Sequence, residues 1–230
     1  MSDIHFISAS IEQYLLSIYR ITLHSSVAST RQIADLMNVS LPSVTAQLKK
    51  LSSKKGLLNY AWREGASLTK IGHLIALNLI RKHRLAKTFL YKKAGYKLDE
   101  IFIEASRLQH AISDRLADSL STILKIPQLD PHGLPIPQNN LQEKLKEGYP
   151  LSEIKSEGNA HVIRLDELNE ETLKFCQKHS ILPGKIIKMK TSNLENNVHF
   201  KIRSSNFQCT SKIASGIIVS STTNFKNAHN

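Results

Sequence analysis

Apolar positions recur at helical spacing from about Ser10 to Leu124, and give way to short strand-like runs between Tyr149 and Ser221. Residues 10–23, SIEQYLLSIYRITL, predict an amphipathic helix capped by Ser10, with Ile11, Tyr14, Leu15, Ile18 and Ile21 as its buried stripe. Two shorter helices are predicted in residues 29–51, STRQIADLMNVSLPSVTAQLKKL. Ser29 or Thr30 offers an oxygen to cap the first, Ile33, Ala34, Met37 and Val39 give its apolar face, and Asn38 stops it. Ser40-Leu41-Pro42 opens the second, because proline is tolerated in a first turn whose amides have no partner. Val44, Leu48 and Leu51 form its inner stripe, and Gly56 ends it. Leu57–Tyr60 and Ala66–Thr69 then read as two short strands joined by a turn at Trp62-Arg63-Glu64-Gly65. Three helices followed by a two-stranded wing make a winged helix-turn-helix.

Thr69 caps a long helix predicted from Lys70 to Tyr96, with Ile71, Leu74, Ile75, Leu77, Leu79 and Ile80 apolar. Its apolar surface exceeds what a winged domain needs, which predicts a second layer or a dimer interface. Another helix is predicted from Lys97 through about Leu124, with Ile103, Leu108, Ile112, Leu116, Leu120 and Ile123 as its stripe and Pro127 as its stop. Residues 130–137, DPHGLPIP, are a turn, and the polar tract after Gln138 is a linker. Strands are predicted at 161–165, 185–190, 198–204 and 216–221, with a helix at Glu170–His179 between the first two. The expected fold class is a mainly α N-terminal part followed by a small all-β barrel. The expected boundaries are 1–69 for the winged domain, 70–137 for a helical dimerisation domain, 138–148 for the linker, 149–222 for the barrel and 223–230 for a disordered tail.

Charge sharpens this picture. The chain carries 31 Lys and Arg against 19 Asp and Glu, a net charge of +12. Residues 1–140 hold 18 basic and 10 acidic side chains, and residues 141–230 hold 13 and 9, so the excess leans toward the winged half. A polyanion is the expected partner. On the second helix of the pair, Ser40, Pro42, Ser43, Thr45, Ala46 and Gln47 are candidates for reading bases in a major groove. Thr30, Arg31, Lys49, Lys50 and Arg63 are candidates for phosphate contacts, which position a protein without specifying sequence. No run approaches the about 20 apolar residues of a membrane span, and no secretory signal is seen. Cys176 and Cys209 lack metal-ligand spacing and read as free thiols in a reducing cytoplasm. No nucleophile–base pair or Gly-rich phosphate loop supports an enzyme, although His83, His110 or Cys176 keep a small enzyme or an interaction module as the remote alternative.

SIEQYLLSIYR, QIADLMNVSLPSVTAQLKKL, IRKHRLAKTFL, EASRLQHAISD and DPHGLPIP, in that order, resemble the diphtheria-toxin-repressor and manganese-transport-regulator group of metal-dependent transcriptional repressors. The stretch from Pro150 to Met189 is similar to the FeoA-type barrel appended to many members. The resemblance implies a homodimer on a near-palindromic double-stranded operator, repression, and Mn²⁺ or Fe²⁺ as effector. By motif it places the regulatory metal site at Gln13, His83, Ser106, Gln109 and His110. The family's anionic ligands are replaced: Gln13 stands for Met or Asp, Ser106 for Cys or Glu, and Gln109 for Glu. At the ancillary site Lys87 stands for Glu and Phe102 for a second His.

Manganese and iron favour carboxylate-containing sites, so neutral ligands weaken the charge compensation for dehydration. Three readings follow. The site is retuned and still senses metal; it has become metal-independent, with Gln13 and Gln109 bridging helices; or other carboxylates such as Glu12 or Glu104 complete it. Ligand charge favours metal linkage that is weakened or lost. The barrel's role stays open between a contact to the metal domain, a partner, and neither.

Overall fold

The computed structural model describes residues 7–23, 25–138, 145–154, 157–189 and 197–221. The predicted tail and most of the predicted linker lie outside these residues. Contacts divide the chain into two compact units, Met1–Lys82 with Pro137–Gln142, and His83–Ile136 with Glu143–Asn230.

In the first unit α1 spans Ala9–Thr22. It starts one residue before the predicted cap, with Ser8 rather than Ser10 at the N-cap position. The choice between Ser29 and Thr30 resolves to Ser29, whose hydroxyl accepts from the Gln32 amide at 3.2 Å while the Gln32 side chain accepts from the Ser29 amide at 2.9 Å. That reciprocal pair begins α2, Thr30–Met37. Asn38 ends it in the left-handed conformation at φ 53°, and Ser40 caps α3, Leu41–Lys55, with proline in the first turn. Leu15, Ile18, Ile33, Val44, Leu48, Leu51 and Leu58 are fully buried or nearly so and form the core of this unit.

The wing is β1, Leu58–Ala61, antiparallel to β2, Gly65–Leu68. Ala28 adds a third rung, exchanging two 2.8 Å backbone hydrogen bonds with Ala66. Gly65 is required there twice over. Its φ is +104°, and a Cβ would stand 2.7 Å from the Ala28 carbonyl oxygen.

Helix α4, Lys70–Lys93, runs from the first unit into the second. The Thr69 hydroxyl caps it as expected, accepting from the Gly72 amide at 3.2 Å. It ends before the predicted Tyr96, because Gly95 turns left-handed at φ 77° and the Ala94 and Tyr96 amides fold back onto the Leu90 carbonyl.

The single helix predicted from Lys97 to Leu124 is two helices, α5 at Ile101–Leu108 and α6 at Asp114–Ile123. Ser113 makes the break by capping α6, its hydroxyl accepting from the Leu116 amide at 3.2 Å. The predicted stripe accordingly splits. Ile112 and Leu120 are buried, whereas Ile103, Leu108, Leu116 and Ile123 are exposed.

The rest of the second unit is an antiparallel six-stranded sheet in the order β3-β8-β4-β5-β6-β7. Its strands are β3 (Tyr149–Pro150), β4 (Gly158–Leu165), β5 (Ile186–Met189), β6 (Asn197–Ile202), β7 (Ser205–Thr210) and β8 (Ile217–Ser221). Helices α7 (Glu170–His179, as predicted) and α8 (Ser211–Ser215) cover it. The strand predicted through residue 204 stops at Ile202, where Arg203 at φ 55° turns the chain into β7, which the sequence reading did not anticipate. The expected class, a helical part followed by an all-β part, holds. One buried cluster joins Leu85, Leu90, Leu98 and Ile101 of the helical segment to Leu151, Val162, Ile187 and Phe200 of the sheet. The sheet packs on the helical segment through a bulge in β4: its register shifts between Val162 and Arg164, and Gly133 fits so closely there that a Cβ would lie 2.2 Å from the Ile163 carbonyl oxygen.

Candidate DNA interface and candidate metal sites

In the first unit α3 buries Val44, Leu48 and Leu51 and leaves Pro42, Ser43, Ala46, Lys49 and Lys50 exposed, with Thr45 and Gln47 half-buried. Alternation of stripe and face is the direct result of the 3.6-residue period. The Ser40 and Ser43 hydroxyls lie 2.8 Å apart, and the Thr45 hydroxyl donates to the Leu41 carbonyl at 2.9 Å. Thr45 therefore turns a satisfied hydroxyl inward on its own helix and has its methyl left for apolar contact. The helix start carries small hydroxyls, the central positions offer small polar and apolar tips, and two lysines follow.

Thr30 is half-buried and Arg31 exposed in the first turn of α2. At the wing tip Arg63 takes a left-handed φ of 72° and lays its guanidinium over the Trp62 ring, 4.2 Å from the centroid. Trp62 is 65% exposed, so cation and ring project together from the hairpin.

Of the five positions placed in the metal site by motif, Gln13 lies half-buried on α1 in the first unit, and the other four belong to the second. His83 is buried on α4 with its ring edge-on to Phe102 at 5.3 Å between centroids. The Ser106 hydroxyl donates to the Phe102 carbonyl at 2.8 Å, back along its own helix. Gln109 is the C-cap residue of α5 and His110 follows in the turn, so the helix predicted to carry both on one face ends at Leu108, before either. Their side chains do meet. The amide nitrogen of Gln109 stands 3.1 Å from His110 Nε2, and since that nitrogen only donates, the imidazole nitrogen is the acceptor. The lone pair that would bind a cation is engaged by a carboxamide. Glu104, one of the alternative carboxylates, pairs instead with Arg107 at 3.1 Å. Two imidazoles, a carboxamide and a hydroxyl without a carboxylate do not fit a hard divalent ion such as Mn²⁺.

A second polar cluster, which the sequence reading missed, lies where the helical segment meets the sheet. Among the described residues, Asp130, His132 and Glu167 are the grouping of His, Cys, Asp and Glu whose ligand atoms lie within 4.8 Å of one another. Lys87 of α4 reaches into it. Its ammonium is 2.5 Å from Asp130 Oδ2, 2.5 Å from Glu167 Oε2 and 3.5 Å from His132 Nδ1, and its side chain is 0% exposed. Asp130 Oδ1 meanwhile accepts from the His132 and Leu134 amides at 2.9 and 3.0 Å, which builds the tight turn of the DPHG motif. His132 Nε2 lies 3.0 Å from the Leu98 carbonyl and donates to it, while Nδ1 faces the ammonium at 3.5 Å and Glu167 Oε2 at 3.8 Å. Burial alone would raise the Glu167 carboxyl, but the charge of Lys87 and the side-chain hydrogen bonds of His132 and Lys87 outweigh it and hold Glu167 well below the usual carboxylate range. The signal was present in the sequence. Ile80, His83, Lys87 and Leu90 follow one helical track, and a lysine on an apolar track needs a buried anion.

The thiols of Cys176 and Cys209 are free and buried in the sheet domain. Burial pushes them up to about 12 and about 11 respectively, which leaves them protonated and inert.

Residues 7–66 match the family described as the iron dependent repressor N-terminal DNA binding domain, residues 69–138 its metal binding and dimerisation domain, and residues 149–221 the FeoA domain. The iron-dependent repressor IdeR of Mycobacterium tuberculosis is 32% identical over 126 residues, 55% of this chain and 54% of that protein. The chain thus spans about half the length of such curated relatives. An HTH-type transcriptional regulator of Methanocaldococcus jannaschii is 34% identical over 119 residues, 51% of this chain and 94% of the relative. Among solved structures, a manganese-dependent transcriptional repressor in complex with manganese superposes with a TM-score of 0.78 at 28% identity, covering 93% of this chain and all of the other. With the winged helix, the helical segment and the FeoA sheet each matched in order, the chain belongs to the diphtheria-toxin-repressor and manganese-transport-regulator family of iron- or manganese-dependent DNA-binding repressors, which are not enzymes.

Proposed function

We propose that this protein is a homodimeric, sequence-specific DNA-binding repressor of metal-homeostasis genes in the cytoplasm, whose coupling to Mn²⁺ or Fe²⁺ is weakened. The observation that carries the DNA reading is the outer face of α3, where exposed Ser43 and Ala46 and half-buried Gln47 precede Lys49 and Lys50 above a fully buried stripe. Ser40, Pro42, Ser43, Thr45, Ala46 and Gln47 read base edges, while Thr30, Arg31, Lys49, Lys50 and Arg63 contact phosphates. Among the described residues, no helix is long and apolar enough to cross a membrane.

The homodimer is supported by apolar surface that the fold leaves uncovered. Leu116 and Ile123 stand two turns apart on one face of α6, 46% and 56% exposed, with Ile126 just beyond at 60%. Self-association on a two-fold axis would cover it and set two α3 helices on successive half-sites. The weakened metal coupling is supported by the neutral donors Gln13, Ser106 and Gln109 and by the Gln109–His110 hydrogen bond.

The test is a footprint of the purified protein over its own upstream region. The reading expects one protected segment holding two half-sites about 10 base pairs apart. Absence of protection, or uniform coverage of any DNA, would overturn it.

A further inference from the structure

We propose that the ammonium of Lys87 is a built-in cation, filling the position that Asp130, His132 and Glu167 would otherwise offer to a divalent metal, and clamping the sheet domain onto α4 without one. Three features carry this. First, the cation is already enclosed: the ammonium donates to Glu167 Oε2 at 2.5 Å, is ion-paired with Asp130 Oδ2 at 2.5 Å and lies 3.5 Å from His132 Nδ1. Second, the three groups around it have the composition and mutual spacing of a metal-ligand set, two oxygens and one nitrogen within 4.8 Å. Third, they come from separate parts of the unit. Asp130 and His132 sit on the turn after α6, Glu167 between β4 and α7, and Lys87 on the central helix.

The surroundings make the clamp rigid. Asp130 cannot swing away without losing the two amides on Oδ1, and His132 is held by the Leu98 carbonyl on its far side. The His132 carbonyl also accepts from the Leu165 amide at 2.8 Å, which ties the same turn to β4. An ammonium carries its charge on the chain and cannot be diluted or chelated away. Docking of the sheet domain is therefore permanent here, where a metal in the same place would make it depend on metal concentration. The buried geometry also explains why the cluster tolerates a lysine: with both carboxylates ionised the cation is paired, whereas alone it would carry the full cost of desolvation.

The experiment uses the full-length protein, with thermal unfolding and Mn²⁺ binding by electron paramagnetic resonance as readouts. The unfolding midpoint of the wild type should be the same in chelator and in Mn²⁺, and its Mn²⁺ binding should be unaffected by Glu167→Gln. Lys87→Ala opens the cluster, so its midpoint should fall in chelator and recover as Mn²⁺ is added. That recovery should vanish in Lys87→Ala with Glu167→Gln. If Lys87→Ala does not fold, the wild-type arm decides alone. A wild-type protein that binds Mn²⁺ in a Glu167-dependent way, or that loses stability to chelator only while Glu167 is intact, overturns the proposal. So does a folded Lys87→Ala protein that binds no more Mn²⁺ than the wild type.

Discussion

The two polar clusters of the second unit sit on the same scaffold and differ in the one property that decides what each can do. Around His83, Ser106, Gln109 and His110 the set holds no carboxylate; the Ser106 hydroxyl is bonded to a helix carbonyl and the Gln109 carboxamide to the His110 imidazole. Around Lys87 two carboxylates and an imidazole, drawn from distant parts of the chain, surround a buried cation supplied by the protein itself. The first cluster lacks the anions that would hold a metal, while the second has anions but already contains a cation. Charge, more than ligand geometry, separates a metal site from its structural relative, and substitutions at a few positions move a cluster from one state to the other.

That contrast is broken or sharpened by substitution. The largest effect is expected for Lys87→Met, which keeps an unbranched side chain, one atom shorter, but strands Asp130 and Glu167. Removing one partner of a buried pair costs about 3–5 kcal/mol, against about 1 kcal/mol for His110→Ala, which removes one neutral hydrogen bond. Urea denaturation of the two variants checks this, and equal losses would erase the distinction between the clusters. Next is Gln109→Glu, which returns a carboxylate to the neutral cluster. An anion in contact with a divalent ion exceeds the about 1.4 kcal/mol needed for a tenfold gain, so Mn²⁺ affinity by titration calorimetry should rise by at least that factor.

A smaller effect comes from acid. The Glu167 carboxyl is held well below its ordinary value of 4.5, so it binds a proton less readily folded than unfolded. Its stabilising contribution is complete above the ordinary value and is lost as pH falls through the lower, folded one. Stability of the wild type should fall in that acid window, and Glu167→Gln should be flatter there. The smallest effect lies outside both clusters. Lys49→Ala should weaken DNA binding alike on specific and unrelated sequences and reduce the slope of log affinity against log salt by about one. Anisotropy at two salt concentrations reads it, and unchanged affinity would remove Lys49 from the phosphate contacts.

Much of this fold was legible because local chemistry and tertiary packing agree. Ser29, Asn38, Ser40, Gly56 and Thr69 punctuate the winged half as their side chains and dihedrals require. Where they did not agree, the pattern misled. Ile103, Leu108, Leu116 and Ile123 read as one inward stripe because period alone does not see that Ser113 starts a new helix or that apolar positions can face outward. β7 escaped because Ser205, Asn206 and Gln208 lie exposed on an edge strand and leave Phe207 and Cys209 to carry a short alternation. The resemblance named His83, Ser106, Gln109 and His110 in advance, with their missing anions, as an expectation about the regulatory site. It left the charged cluster unseen, since Lys87, Asp130 and Glu167 are tens of residues apart and only the folded turn at DPHG brings them together. A buried charge announces that a partner exists but not where in the chain it lies.

The most direct test of the account is DNA binding by the purified wild type to its own upstream region, followed by fluorescence anisotropy in chelator and then in Mn²⁺ or Fe²⁺. Specific binding that persists in chelator and tightens little with metal is the predicted result, in keeping with a neutral regulatory cluster and a lysine-held sheet domain. Binding that is absent in chelator and appears only with metal would contradict it, and would mean that His83 and His110 still anchor a working sensor.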